Sequence, residues 1–370
     1  MPTRVLLTGA TGALGRALLP ELLLGGFEVL CLIRAQKGQT AEQRLRSIID
    51  HPRARAVSGD ITEPLCGLDP ATLPSIQKLV HSAADINLSQ ANEAGALESN
   101  LEGTRNVLAL AEAMQRPDFH YVGTAYIAGD APVLVEHEPG DPLTVGQPRN
   151  PYEASKVKAE TMVRAYAGRF SVQRPSIVVG RSDDGRAEGL EGIYTMLRSV
   201  TRLRDTIRRG NYKDEKGVRI GRGYKLKVPV GIGNQEDVDL NMVPLDWVAE
   251  TQAALVALPA RGCTYNLTHP QSMHLTTLIR EMIEALDLRH VTVVEDEGGW
   301  TMSPIKLAIR RVIAREIAHL QPYLQRSPEF VSRNIYRDLG PNWPKPPAIS
   351  VEFLRRTIRA LDKASALVPA

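Results

Sequence analysis

The sequence is poor in the residues that mark several functional classes. Its three cysteines, Cys31, Cys66 and Cys263, show neither disulfide nor zinc spacing. Cys31 sits in an apolar run and reads as a small buried hydrophobe. The eight histidines form no metal-ligand pattern, and His81, at the end of a strand-like run, reads as structural. No apolar stretch approaches the roughly 20 residues that a membrane-spanning helix needs. The start, Met1-Pro2-Thr3-Arg4-Val5, enters a strand-like run at once and leaves no room for a signal peptide, so the expected location is cytoplasmic. There is no internal repeat and no low-complexity tract. What remains is ordinary for a folded chain of 370 residues: 43% hydrophobic, 24% charged, net charge +3.

What is present is concentrated. In Asn150-Pro151-Tyr152-Glu153-Ala154-Ser155-Lys156 a tyrosine and a lysine stand four apart. On a helix they share one face, about 5–6 Å apart. A cation beside a phenol stabilises phenolate, so Lys156 is expected to lower the Tyr152 pKa and make it a working proton donor. Asn150 suits the N-cap, Pro151 the first helical position, and Glu153 completes a capping-box pattern.

The N-terminus carries the second signal. The run 4–9 reads as a buried strand and feeds Thr8-Gly9-Ala10-Thr11-Gly12-Ala13-Leu14-Gly15. An apolar helical stretch (14–24) and a second strand (27–33) follow. Strand, glycine-rich turn, helix and strand in about thirty residues make a dinucleotide fingerprint. Gly9 permits the tight turn, Gly12 opens the backbone to a pyrophosphate, and Gly15 lets the helix pack closely on the sheet. Pro20 is expected to kink the helix or end it early. The second strand ends in Arg34 rather than an acidic residue. A cation there, with Arg44 nearby, suits a 2′-phosphate and favours NADP(H). Residues 1–180 alternate strands and helices, which predicts an α/β fold with a Rossmann-type doubly wound parallel sheet.

With both ends read, the sequence resembles the extended short-chain dehydrogenase/reductase superfamily. The turn Thr8 to Gly15 matches its TGxxGxxG pattern. Gly59-Asp60-Ile61 looks like the adenine-contacting stretch, and Leu79 to Ala84 like the small-residue turn beneath the cofactor. Asn100-Leu101-Glu102-Gly103-Thr104, Phe119 to Tyr126, and Arg174-Pro175-Ser176-Ile177-Val178-Val179-Gly180 match three further motifs. The resemblance implies cofactor contacts at Thr8, Gly9, Thr11, Gly12, Ala13, Leu14, Gly15, Arg34, Arg44, Asp60, Ile61, Ala83, Ala84, Tyr152, Lys156, Pro175 and Ile177. It implies catalysis by Thr124, Tyr152 and Lys156, with Asn100 holding a proton-relay water. It implies no metal.

Within the superfamily the sequence is similar to the thioester reductase and fatty acyl-CoA reductase ("male sterility") branch, through Gly59 to Leu68, His81 to Asn87, Arg174 to Gly180 and Asn241 to Asp246. That branch implies NADPH-dependent reduction of an acyl-CoA or carrier-protein thioester to an aldehyde, with a second reduction to alcohol left open. Gly123 departs from the branch, which has serine there. No adenylation or carrier domain accompanies the sequence, so a carrier is expected to bind in trans. A ketone/alcohol oxidoreductase or a nucleotide-sugar enzyme is the alternative on the same fold. Arg34 counts against an epimerase, and the presence of both Tyr152 and Lys156 counts against a non-catalytic NADP-binding regulator.

Residues 181–370 read as a smaller, mainly helical substrate-binding region, with part of 235–270 returning to the nucleotide domain. Over 198–227 eleven Lys and Arg stand against three Asp and Glu, a local net charge of +8. Such a run is either a solvated face or a surface that steers an acidic partner, coenzyme A or a carrier protein. It lacks interleaved aromatics beyond Tyr212 and Tyr224, which argues against nucleic acid. Helices are expected over 192–209, 275–286, 302–325 and 351–361. The third is basic and amphipathic and reads as a lid over the cleft rather than a membrane-surface helix. Pro341 to Pro347 reads as a connector.

Overall fold

A seven-stranded parallel sheet organises the first part of the chain in the computed structural model, which describes residues 2–36, 38–86, 93–186, 226–230, 238–285, 291–295, 323 and 327–366. Its strands are β1 (Arg4–Thr8), β2 (Glu28–Ile33), β3 (Ala54–Ser58), β4 (Lys78–His81), β5 (Asp118–Val122), β6 (Phe170–Pro175) and β7 (Thr264–Leu267). Their spatial order is 7-6-5-4-1-2-3. The order reverses between β1 and β4, and such a switch point opens a crevice at the carboxyl ends of the strands.

The strands are apolar on both faces because helices cover both. Val5, Leu7, Val29, Cys31 and Val80 pack on one side, with α1 (Ala13–Leu24) and Ala253 and Val256 of α5 (Leu245–Ala257). Leu6, Leu30, Leu79, Phe119 and Tyr121 pack on the other, with α3 (Gly103–Ala113) and α4 (Pro151–Arg164). A short α2 (Ala41–Arg46), with Thr40 and Gln43 forming a capping box, joins β2 to β3.

The early end expected at Pro20 does not occur: α1 continues to Leu24. Leu18, Leu19, Leu22 and Leu23 are all buried. Burying such side chains is worth roughly 1.5–3 kcal/mol each, which together exceeds the roughly 3 kcal/mol cost of an interior proline.

Two compact units emerge. The first comprises Met1–Val178, Asn241–Gln271 and Pro328–Pro347. The return of 328–347 to it is held by polar contacts. Glu136 accepts from the backbone N–H groups of Asn266, Arg333 and Asn334 at 2.6–2.8 Å. The Trp247 and Trp343 indoles donate to the Pro344 carbonyl and the Thr251 hydroxyl. The second unit comprises Val179–Leu240, Ser272–Ser327 and Ala348–Ala370. Among its described residues are α6 (Leu275–Ala285), α7 (Val351–Ala366), and a parallel strand pair, Leu226–Val230 with Val291–Glu295. The sequence-predicted helices over 192–209 and 302–325 and most of the basic stretch 198–227 lie outside the described residues. Among the described residues no helix is long and apolar enough to cross a membrane.

Gly15 lies hard against the glycine turn that precedes its helix. A Cβ on Gly15 would come within 2.1 Å of the Gly9 carbonyl oxygen, whereas one on Gly12 would meet nothing nearer than 3.4 Å. Gly15→Ala is therefore expected to lower unfolding stability by at least about 1–3 kcal/mol. Gly12→Ala should cost under about 1 kcal/mol. Urea unfolding of the two variants checks the contrast.

Candidate active site

Every cofactor or catalytic residue that the sequence reading singles out, Asn100 and Arg44 excepted, lies at or just beyond the carboxyl end of a sheet strand or on the first turns of the helix that follows. After β1, Gly9 takes a left-handed φ of 78°, and its α-hydrogen faces the Ala83 backbone, where a Cβ would come within 2.6 Å of N. Gly12 is the N-cap of α1 and has no side chain over the helix start, so the N–H groups of Ala13 and Leu14 open the helix. An oxyanion fits such a terminus, where the N–H groups are unpaired and the dipole is positive. The Thr11 carbonyl accepts from Arg16 Nε at 2.9 Å. The turn thus fits a pyrophosphate.

At the end of β2, Arg34 is exposed and its guanidinium stands 3.6 Å from the Asp60 carboxylate beyond β3. Arg44, on α2, donates to the Arg34 carbonyl at 2.6 Å. Two cations are thereby gathered at one corner of the sheet. Burial pulls the Asp60 carboxyl upward, but two hydrogen bonds from Thr62 and the Arg34 charge outweigh it and hold it below the usual range. Ile61 packs against Gly103, and its carbonyl accepts from Asn106 at 2.9 Å. Ala83 and Ala84 follow β4, Ala84 exposed. Pro175 ends β6, and the Ile177 N–H donates to the Asn241 carbonyl at 3.2 Å.

The catalytic candidates converge beside β5. Asn150 caps α4 by accepting from the Glu153 N–H at 2.9 Å, and Pro151 takes the first helical position. The Glu153 carboxylate departs from the expected box: it accepts from the N–H and guanidinium of Arg149, the residue before the cap. Tyr152 is half-buried on the first turn, and Lys156 is buried one turn on. Thr124 follows β5, also buried, and its oxygen accepts from the Tyr126 N–H at 3.2 Å.

The electrostatics differ from the sequence reading. Burial pushes the Tyr152 phenol up to about 12, a side-chain hydrogen bond with Thr124 pulls it back in part, and Glu153 and Asp85 push it up again. The expected lowering by Lys156 is not what governs it. The ammonium is instead drawn to the Val122 carbonyl at 2.8 Å and lies 4.5 Å from the centre of the Tyr121 ring. Burial lowers Lys156 to about 7, with Glu160 acting the other way.

A hydrogen-bonded chain that the sequence did not announce joins the glycine turn to α4. The Ala83 N–H donates to Thr8 Oγ1, which meets His81 Nδ1 at 2.8 Å. His81 Nε2 meets Thr104 Oγ1 at 3.1 Å, and Thr104 donates to the Asn100 carbonyl at 2.6 Å. Burial, then the Lys156 charge, lowers His81 to about 3, so it is neutral. One tautomer satisfies the whole run: Nδ1 accepts from Thr8 and Nε2 donates to Thr104. Asn100 lies in a π-helical stretch, Leu97–Glu102. Its amide oxygen accepts from the Asp85 N–H, and its two amide hydrogens go to the Asp85 carbonyl and Ser155 Oγ. Ser155 in turn donates to the Tyr152 carbonyl at 2.7 Å. Asn100 is thus a strut between the β4 loop and α4, with both donors used. Only Ser155, a hydroxyl beside the lysine, could have been suspected from local sequence.

Gly123 faces away from Thr124. A Cβ there would come within 3.5 Å of Arg174 Cγ and 3.6 Å of Glu160 Oε2. The position lines a buried ion pair, which is where a serine in its place would point. Among the described residues no cluster of His, Cys, Asp and Glu could hold a metal ion.

Residues 7–252 match the profile of a family described as Male sterility protein. An isonitrile lipopeptide synthase of Streptomyces coeruleorubidus is 31% identical over 221 residues, which are 54% of this chain and 15% of that one. The chain therefore spans a small fraction of that relative's length. Two solved structures share the fold. The terminal R domain of the myxalamid PKS-NRPS pathway superposes with a TM-score of 0.75 at 23% identity, covering 99% of this chain and 92% of the domain. A thiolation-reductase di-domain from an archaeal non-ribosomal peptide synthetase gives 0.71 at 18% identity, covering 99% and 76%.

The Lys156 environment has a measurable consequence. Below about pH 7 the ammonium is protonated in both folded and unfolded chains. Between about 7 and the ordinary lysine value near 10.4 the unfolded chain holds the extra proton. Stability contributed by this group therefore rises with pH across that window, by up to about 1.4 kcal/mol per pH unit. Lys156→Met should lack that rise, so the wild-type-minus-variant unfolding free energy should climb from pH 7 to 10.

Proposed function

Because the chain belongs to the Male sterility protein family of the extended short-chain dehydrogenase/reductases, we propose that it is an NADPH-dependent reductase of a carrier-protein thioester. The product is an aldehyde, with further reduction to the alcohol by the same residues. What carries the reading is the gathering of Thr124, Tyr152 and Lys156 at the carboxyl end of β5, linked through Asn100, Thr104, His81 and Thr8 to a glycine turn that fits a pyrophosphate. The likeness to a terminal R domain and to a thiolation-reductase di-domain supports a carrier-borne acyl group as substrate. The second unit is the substrate-binding region in this reading.

The residues divide the work as follows. The α1 N-terminus and Gly12 would receive the pyrophosphate, Asp60 and Ile61 would lie by the adenine, and Arg34 with Arg44 would meet the 2′-phosphate. When bound, NADPH supplies the hydride. Thr124 and Tyr152 hydrogen-bond the acyl oxygen and orient it. Tyr152, protonated at neutral pH as any phenol is, gives its proton to that oxygen as negative charge develops there. Lys156, one helical turn from Tyr152, would hydrogen-bond the nicotinamide ribose, and its positive charge would favour the phenolate left as the proton moves, although it does not set the resting Tyr152 value. With one hydride and one proton taken up, the thioester becomes a hemithioacetal, which expels thiol to leave the aldehyde.

Incubation with NADPH and an acyl-carrier thioester should oxidise NADPH and yield aldehyde. Reduction of ketones with thioesters untouched would refute the substrate class. Tyr152→Phe should lower turnover roughly 10²–10⁴-fold while NADPH still binds, and retained turnover would remove the acid assignment. Arg34→Ala should weaken NADPH by about tenfold or more and leave NADH little changed, measured by fluorescence titration. Equal losses would refute the 2′-phosphate contact.

A further inference from the structure

On α4 the side chains of Tyr152, Lys156 and Glu160 recur every four residues, so they line one face. The last is unusual. Glu160 is fully buried, and its carboxylate is gripped by Arg174 of β6, which is also fully buried. Arg174 Nε donates to Glu160 Oε2 at 3.0 Å, and its Nη2 donates to Oε1. The rest of the guanidinium reaches the Val135 carbonyl, Asn266 Oδ1 and His137 Nδ1. Glu160 thus stands one helical turn from Lys156 and is held by Arg174, and its charge also acts on Arg164 at the end of the same helix.

A buried ion pair seldom stabilises a fold more than apolar side chains would. Arg174 also donates to the Val135 carbonyl and Asn266 Oδ1, and its charge acts on the Glu136 carboxylate as well, so it does not by itself require Glu160 to stand one helical turn from Lys156. The groups facing Lys156 narrow its choice of counter-ion. Tyr152 shares its helix, Tyr121 and the Val122 carbonyl come from β5, and neutral His81 comes from β4. Asp85, beyond β4, acts on Tyr152. Among these described groups Glu160 is the carboxylate that acts on the Lys156 charge.

We propose that Glu160 is a positioning residue that keeps Lys156 charged at neutral pH, and that Arg174 limits this effect by holding the same carboxylate. Arg174 draws Glu160 toward β6 and so leaves Lys156 only partly compensated. The carboxylate and the guanidinium act on Lys156 with opposite signs, which is what distinguishes this role from simple packing. The inference rests on Lys156 serving the site as proposed above, but its test needs no turnover.

Isotope-labelled lysine in the full chain allows the Lys156 side chain to be titrated by NMR, its signal identified by its loss in Lys156→Met. Glu160→Gln should move the titration down by about one pH unit or more, and Arg174→Gln should move it up by a similar amount. Glu160→Gln leaves a buried cation unpaired and is at risk of not folding. The double variant Glu160→Gln/Arg174→Gln removes both charges and should titrate below wild type but above Glu160→Gln. An unchanged midpoint in the folded variants, or a shift of Arg174→Gln in the same direction as the others, would overturn the proposal. A chain that titrates as expected yet leaves thioesters unreduced would sink the functional reading and spare the ion-pair role; the reverse pattern would do the opposite.

Discussion

The hydrogen-bonded run from Thr8 through His81, Thr104, Asn100 and Ser155 to the Tyr152 carbonyl is the constraint on which the site depends. It crosses from the end of β1 to the end of β4, through α3 and its π-helical lead-in, and into the first turn of α4. These are the walls of the crevice that the strand order opens. Each member is buried or half-buried, so an unmet partner would carry a desolvation cost of about 1–3 kcal/mol. The run is therefore satisfied only when β1, β4 and α4 stand in one arrangement. The glycine turn and Tyr152 are located relative to each other by the same bonds.

Charge is handled with equal economy. Lys156 is buried on α4 and Tyr152 half-buried one turn before it, and burial acts on Tyr152, Lys156 and His81. It raises Tyr152, lowers Lys156 and holds His81 neutral. Burial thus favours the uncharged forms of Tyr152, Lys156 and His81 alike. Perturbations of this kind are characteristic of reactive sites, because burial turns small changes in charge into large changes in free energy.

Local features are legible in the amino-acid order itself. The alternation of strands and helices, the glycines at 9, 12 and 15, and the Asn150–Pro151 start of α4 depend on side chains within a few residues of one another. Their geometry follows from backbone sterics and capping. The early end, one of the two outcomes expected at Pro20, did not occur because four buried leucines of α1 outweigh the proline. The expected action of Lys156 on Tyr152 failed for a related reason. A spacing of four places two residues on one face but does not say what else lies there, and the Val122 carbonyl and Tyr121 ring come from β5, some thirty residues away.

The sequence by itself thus determined the fold class, the family and the positions of the glycine turn and the α4 tyrosine–lysine pair, since short-range spacing encodes each of these. Tertiary structure alone decided the protonation balance at Tyr152 and Lys156, the strut formed by Asn100, the pairing of Glu160 with Arg174, and the return of residues 328–347 to the first unit. All of these join residues distant in sequence or depend on exclusion of water. Burial is a property of the assembled sheet and helices and cannot be read from any one segment.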